Sequence, residues 1–94
     1  MSSIDKYRKV FKECFQYDGD VDDLEYQSIE EWDSVAHMQL MAELEDEFKV
    51  EMDIDDIIDF SSFKEGIKIL SKYDVEIAWY GIRYTRNIKN SKKQ

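Results

Sequence analysis

The sequence predicts an all-α fold: a four-helix bundle with a long loop between helices one and two and a C-terminal extension. Three observations carry this expectation. Apolar residues recur at i, i+3, i+4 spacing in four segments, the signature of helices with one buried face. Serine or aspartate stands where each segment begins, and these side chains cap the orphan amides of a first helical turn. The chain has 94 residues, enough for one small core.

The first helix is expected from about Ile4 to Phe15, where Ile4, Tyr7, Val10, Phe11, Cys14 and Phe15 form one stripe. Ser2 and Ser3 are both candidate caps. From Gln16 to Asp33 the pattern dissolves into an acidic stretch containing Gly19, with Leu24, Tyr26 and Ile29 as tethers to the core. A loop of this length in so short a domain is unusual and often functional. The second helix starts at Asp33 or Ser34 and runs to about Phe48. Leu40, Met41, Leu44 and Phe48 face inward, with His37 one turn earlier on that side. Asp53 is the expected cap of a short third helix whose apolar face is Ile54, Ile57, Ile58 and Phe60. Ser62-Phe63-Lys64-Glu65 is a capping-box pattern opening a fourth helix with Phe63, Ile67, Leu70 and Tyr73. Gly66 inside it costs about 1 kcal/mol against alanine, which points to a close contact. With no proline in the chain, the helices must end by caps, glycine or charge.

Composition excludes several functions. The net charge of −9 argues against nucleic acid, since phosphate binding needs clustered Lys and Arg, and favours a basic protein partner or metal ions. One cysteine, Cys14, makes no internal disulfide and no cysteine-based zinc site; it reads as a small buried hydrophobe. One histidine excludes a His-rich metal site. Asp18-x-Asp20-x-Asp22 begins like an EF-hand, but its sixth position is Asp23 where Gly is needed, and its twelfth is Ile29 where Glu is needed. No metal is expected. Residues 1–10 lack a signal-peptide core, and the apolar run Ile77 to Ile82 is too short to span a bilayer. A soluble, cytoplasmic monomer without stable membrane insertion is expected.

The specific signal is Trp32-Asp33-Ser34-Val35 followed by Leu44-Glu45-Asp46-Glu47-Phe48. A serine in a first helical turn meets orphan amides and the positive end of the helix dipole, a setting that favours an anion. Asp33 can cap the helix and leave the Ser34 hydroxyl exposed at the end of the loop. A Ser34–His37 nucleophile pair lacks an orienting acid and an oxyanion-hole segment, so His37 reads as packed or pocket-lining. Glu43, Glu45, Asp46 and Glu47 crowd the end of helix two, where the dipole disfavours anions by about 0.3–1 kcal/mol each. Such a surface points to recognition of a basic patch.

With these residues the chain resembles the acyl carrier proteins over about residues 4 to 73. The resemblance rests on Asp33-Ser34-Val35, on the Leu-Glu-Asp-Glu-Phe run at 44–48, and on a short helix before a final one. It implies an acyl-carrier-like bundle that is not itself an enzyme. Ser34 would carry 4′-phosphopantetheine, transferred from coenzyme A, and the arm's thiol would hold acyl groups as thioesters. Asp33 would help orient the transfer. Val35, Met38, Gln39, Ala42, Glu45 and Asp46 would meet partners: a phosphopantetheinyl transferase, an acyl-loading ligase or synthase, and an acyltransferase. The usual Gly-x-Asp-Ser-Leu reads Glu31-Trp32-Asp33-Ser34-Val35 here, which looks like stand-alone carriers of specialised lipid, surface-polysaccharide or secondary-metabolite pathways. The competing reading is an unmodified acidic helical adaptor for a basic protein.

The division expected is a carrier domain over 1–73 and an extension over 74–94. The extension holds Arg83, Arg86, Lys89, Lys92 and Lys93 against Asp74 and Glu76, a net +3 that leaves −12 on the rest of the −9 chain. Val75, Ile77, Trp79, Tyr80, Ile82 and Tyr84 are too apolar for a solvated tail. Residues 75 to about 84 are expected to pack on the bundle, and the end to be mobile.

Overall fold

Residues 2–78 are described by the computed structural model. Four helices follow in order, α1 (Ser3–Phe15), α2 (Ser34–Phe48), α3 (Ile54–Asp59) and α4 (Phe63–Ser71), with no strand among the described residues. Ser2 caps α1 by accepting from Asp5 N at 3.3 Å. Ser3 is the first helical residue. Asp33 caps α2, and Ser62 caps α4 by accepting from Glu65 N at 2.9 Å. Glycine does not end the helices: Gln16 and Lys49 take up left-handed backbone at the ends of α1 and α2. Their amides donate back to carbonyls of the last turn, which satisfies groups that would otherwise be orphaned.

The core is aromatic and centred on Phe11. Its ring lies 4.9 Å from Tyr7, 5.0 Å from Phe63 and 5.6 Å from Trp32, each edge-to-face. Such pairs add about 0.5–1.5 kcal/mol each beyond burial. Leu40, Met41 and Leu44 of α2 and Ile67 and Leu70 of α4 close around them, all buried. Gly66 is required by contact. A Cβ there would lie 2.1 Å from Phe60 Cζ and 2.2 Å from Tyr7 Oη.

Residues 16–33 are strapped to the body despite their acidity. Arg8 binds Asp22 through Nε at 2.9 Å and Nη2 at 2.7 Å, and Lys64 pairs with Asp23 at 3.1 Å. Tyr26 N donates to Ser61 O and Phe63 N to Leu24 O, both at 2.9 Å, around an isolated antiparallel bridge between Glu25 and Ser62. Leu24 is buried as a tether, while Tyr26 is 37% exposed. Val21 and Trp32, absent from the expected tethers, are buried more completely, at 1% and 0%.

The third helix departs furthest from expectation. It has six residues, below the length at which a helix holds itself. Asp53 makes no side-chain cap; its carbonyl accepts from Asp56 N and Ile57 N instead. Of the expected apolar face only Phe60 is buried, with Ile57 half-buried and Ile54 and Ile58 63% and 70% exposed. What holds α3 is polar. Asp56 is 6% exposed and accepts from Lys72 Nζ at 2.6 Å and from the Tyr73 hydroxyl. Tyr73 Oη accepts in turn from Asp53 N at 2.9 Å. Tyr73 thus lies beyond α4, half-buried against the core, and its hydroxyl serves α3.

After α4, Val75 N donates to Leu70 O at 3.1 Å, Ser3 Oγ donates to Glu76 O at 2.9 Å, and Ile77 is 2% exposed. The expectations for Trp79 to Tyr84 and for the mobile end lie outside the described residues.

Candidate functional site

The site begins with Trp32. Its indole is fully buried between Phe11 and Phe15, so the loop arrives at α2 in a fixed position. Asp33 follows in extended backbone. Its Oδ1 accepts from Ala36 N at 2.8 Å and its carbonyl from His37 N at 2.8 Å, which starts the helix. Ser34 is therefore the first helical residue. It is exposed, and it stands at the positive end of a 15-residue helix.

Beside Ser34 a cleft of about 380 Å³ opens between α2 and α3. Met38, Ile54, Ile57, Ile58 and Phe60 give it apolar walls, and Tyr26, Ser34, His37 and Ser61 complete them. Val35, at 78% exposed, and Met38, at 51%, extend the apolar surface outside the cleft. Of the residues assigned to partner contact, Gln39 and Ala42 are also exposed, and Gln39 Nε2 donates to Glu43 at 3.0 Å. Asp46 is exposed. Glu45 is half-buried, and its Oε2 accepts from Met52 N at 2.8 Å. That bond offsets the unfavourable position of Glu45 near the helix C-terminus and anchors the chain entering α3.

His37 is committed to the protein. Trp32 Nε1 donates to Nδ1 at 3.0 Å, and Nε2 lies 2.8 Å from Ile57 O. Neither nitrogen is free to take a proton from Ser34, so the Ser34–His37 nucleophile pair is not assembled. Cys14 is no substitute. Burial first and Glu43 second push its thiol up to about 11, and the thiolate is the reactive form. Among the described residues no three His, Cys, Asp or Glu side chains form a metal-binding group.

What Ser34 offers is an accessible hydroxyl and a helix end. The first-turn amides and the dipole stabilise a negative group attached there. A phosphodiester fits this donor set, with the rest of an arm free to lie along the cleft or in solvent. Residues 31–68 match the family model described as the phosphopantetheine attachment site. The match is to a phosphopantetheine attachment domain over less than half of the chain, and it is consistent with a member of the acyl carrier protein family. Such a domain is the site of covalent 4′-phosphopantetheine attachment. Searches of curated proteins and of solved structures give no match. The match takes in Asp33, Ser34, all of α2 and α3, and most of α4. No helix among the described residues is long and apolar enough to cross a membrane.

Tyr26, Ile54 and Ile58 belong to the surroundings of Ser34 and were not assigned there from sequence. One signal was available for the isoleucines. Their i, i+3, i+4 spacing with Ile57 sets them on one face, and that face lines the cleft.

Proposed function

We propose that Ser34 carries the 4′-phosphopantetheine arm and that the protein is an acyl carrier without catalytic activity of its own. The observation that carries this reading is the exposed Ser34 hydroxyl at the start of α2, inside the matched segment and beside an apolar cleft. The hydroxyl oxygen displaces 3′,5′-ADP from coenzyme A in a reaction catalysed by a phosphopantetheinyl transferase. Asp33, already holding the helix start, would orient that transfer. The arm's thiol then takes an acyl group from a ligase or synthase and yields it to an acyltransferase. Val35, Met38, Gln39, Ala42 and Asp46 present small apolar and acidic groups for docking, and Glu45 contributes charge while holding Met52. The Trp-Asp-Ser start favours a specialised lipid, surface-polysaccharide or secondary-metabolite pathway in the cytoplasm. We place the carrier body within residues 1–73 and treat 74–94 as an extension, of which residues 79–94 lie outside the described residues.

The test is intact mass after incubation with coenzyme A, magnesium and a broad-specificity transferase. Wild-type protein should gain one phosphopantetheine. Ser34→Ala should gain none and keep its helical circular dichroism, because an exposed hydroxyl is lost while the Asp33 cap remains. A modified Ser34→Ala protein rejects the site, and an unmodified wild type favours the acidic adaptor.

A further inference from the structure

Trp32 is held by every polar group it has. Its amide donates to Ile29 O at 3.1 Å, its carbonyl accepts from Gln27 N at 3.1 Å, and its indole Nε1 donates to His37 Nδ1 at 3.0 Å. The indole only donates, so Nδ1 is a bare acceptor; the ring proton sits on Nε2, which donates to Ile57 O at 2.8 Å. His37 N in turn donates to Asp33 O at 2.8 Å. Residues 33–36, the start of α2, are thus enclosed between two side chains that bond to each other. The local cap does not do this alone. Asp33 Oδ1 accepts from Ala36 N, but a capping box also needs Glu or Gln at that third helical position, and α2 has Ala36 there. In α4, by contrast, Glu65 stands at the same place after Ser62. Helix ends fray, and the first turn of α2 is tied only once by its capping side chain. The bond between Trp32 and His37 ties it a second time, from the buried side.

We propose that Trp32 and His37 are positioning residues for attachment of the arm, and that the bond between them sets the placement of the Ser34 hydroxyl for the transfer. The proposal rests on attachment at Ser34. In that step Ser34 Oγ bonds to the phosphorus on the pantetheine side of the coenzyme A diphosphate. The bond from that phosphorus to 3′,5′-ADP breaks, the ADP leaves with the electron pair, and the serine proton passes to a base on the transferase. Such an attack needs oxygen, phosphorus and leaving group aligned, and a misplacement of about 1 Å costs about 100-fold in rate. Docking spreads over a wide surface and tolerates a loosened first turn, whereas alignment does not. Loss of the bond should therefore lower kcat and leave KM nearly unchanged.

Transfer is timed by intact mass on the full unmodified chain, with coenzyme A, magnesium and a broad-specificity transferase, at a temperature where circular dichroism shows each variant folded. Trp32→Phe removes the donor, His37→Phe removes the acceptor, and His37→Gln keeps an acceptor oxygen. Ile77→Ala is the control. It opens the core where Ser3 meets Glu76, at the opposite end of α1 from Cys14, whose Sγ lies 3.8 Å from Ala36 O. The two Phe variants should lower kcat about tenfold or more, with KM within about twofold of wild type. His37→Gln should recover most of the rate, and Ile77→Ala should keep it. Wild-type kcat in His37→Phe, a KM effect without a kcat effect, or equal slowing by Ile77→Ala overturns the proposal. His37 is the single histidine of the chain, so a ¹⁵N spectrum of labelled protein assigns its ring nitrogens directly. At neutral pH, Nδ1 should be unprotonated and coupled across the hydrogen bond to the Trp32 indole; the opposite tautomer overturns the proposal as well. Should either Phe variant fail to fold, the other and the tautomer decide it. An unmodified wild type, or a modified Ser34→Ala protein, rejects attachment at Ser34, whereas a modified wild type with unslowed variants rejects this inference alone.

Discussion

Gly66→Ala sets two physical effects of opposite sign against each other. On helix propensity alone the substitution should stabilise α4 by about 1 kcal/mol. The packing opposes it. The new Cβ would lie 2.1 Å from Phe60 Cζ, 2.6 Å from Phe60 Cε1 and 2.2 Å from Tyr7 Oη. Neither ring can step aside, since Phe60 is 1% and Tyr7 0% exposed. Overpacking of this kind costs about 1–3 kcal/mol. Tyr7 also donates from its hydroxyl to Phe63 O at 2.7 Å in a buried bond. Displacing that hydroxyl leaves buried polar groups unpaired, at about 1–3 kcal/mol more. The net expectation is a destabilisation of about 2–4 kcal/mol, a large fraction of the roughly 5–15 kcal/mol that holds a domain together. Urea unfolding followed by circular dichroism should show the midpoint falling with little change in slope. At about 4–8 °C per kcal/mol for a domain of this size, the melting temperature should drop by about 10 °C or more. A variant as stable as wild type, or more so, would mean that Phe60 and Tyr7 yield at little cost, and the close packing of α4 against α1 would be refuted.

Separating Glu45 from Asp46 tests what the acids of α2 do. Glu45→Lys breaks the bond to Met52 N and should cost about 1.5–3 kcal/mol in chemical denaturation, while Asp46→Lys should stay within about 0.5 kcal/mol of wild type. Both should weaken transferase binding by calorimetry, less so as salt shortens the Debye length to about 10 Å at 0.1 M. Asp56 governs the acid response. Its hydrogen bond from Lys72, then that from Tyr73, hold its carboxyl below the ordinary value. Its stabilising contribution is present above the unfolded value of about 3.9 and is lost as pH falls through the lower folded value. Asp56→Asn should flatten melting temperature against pH in that acid range, and an unchanged profile would refute the anchoring of α3. Truncation after Tyr73 removes buried Ile77 and the Ser3–Glu76 contact, so it should lower the melting temperature while leaving Ser34 modifiable by mass.

Helical periodicity read α1 and α2 well because both are long enough to bury a full stripe, and their caps are local devices. The Ser62 cap and the crowding at Gly66 were legible for related reasons: the first is a three-residue spacing, the second a helix-breaking residue kept inside a helix. Periodicity misled at α3. Ile54, Ile57 and Ile58 look alike in sequence, but a six-residue helix pinned by Asp56 has room to bury little besides its exit at Phe60. The loop hid most. Arg8 and Asp22 are fourteen residues apart, and Lys64 and Asp23 farther still, so neither pairing has a local signature. Trp32 was read only as part of a motif, because a lone aromatic among acids carries no period to reveal its burial.

That blind spot matters for function, because Trp32 does two jobs at once. As a core residue it fixes where the loop ends, and so where Asp33 and Ser34 begin α2. As a hydrogen-bond donor it dictates which nitrogen of His37 is left to hold Ile57, and so where α3 stands. Ser34 and the cleft wall are thus referred to one buried indole. A phenylalanine at position 32 would keep much of the apolar contact and fill less of the site, but it would remove the donor and free His37 to adopt the other tautomer. The exposed serine can stay accessible because its position is fixed from beneath, by an indole that is itself fully buried.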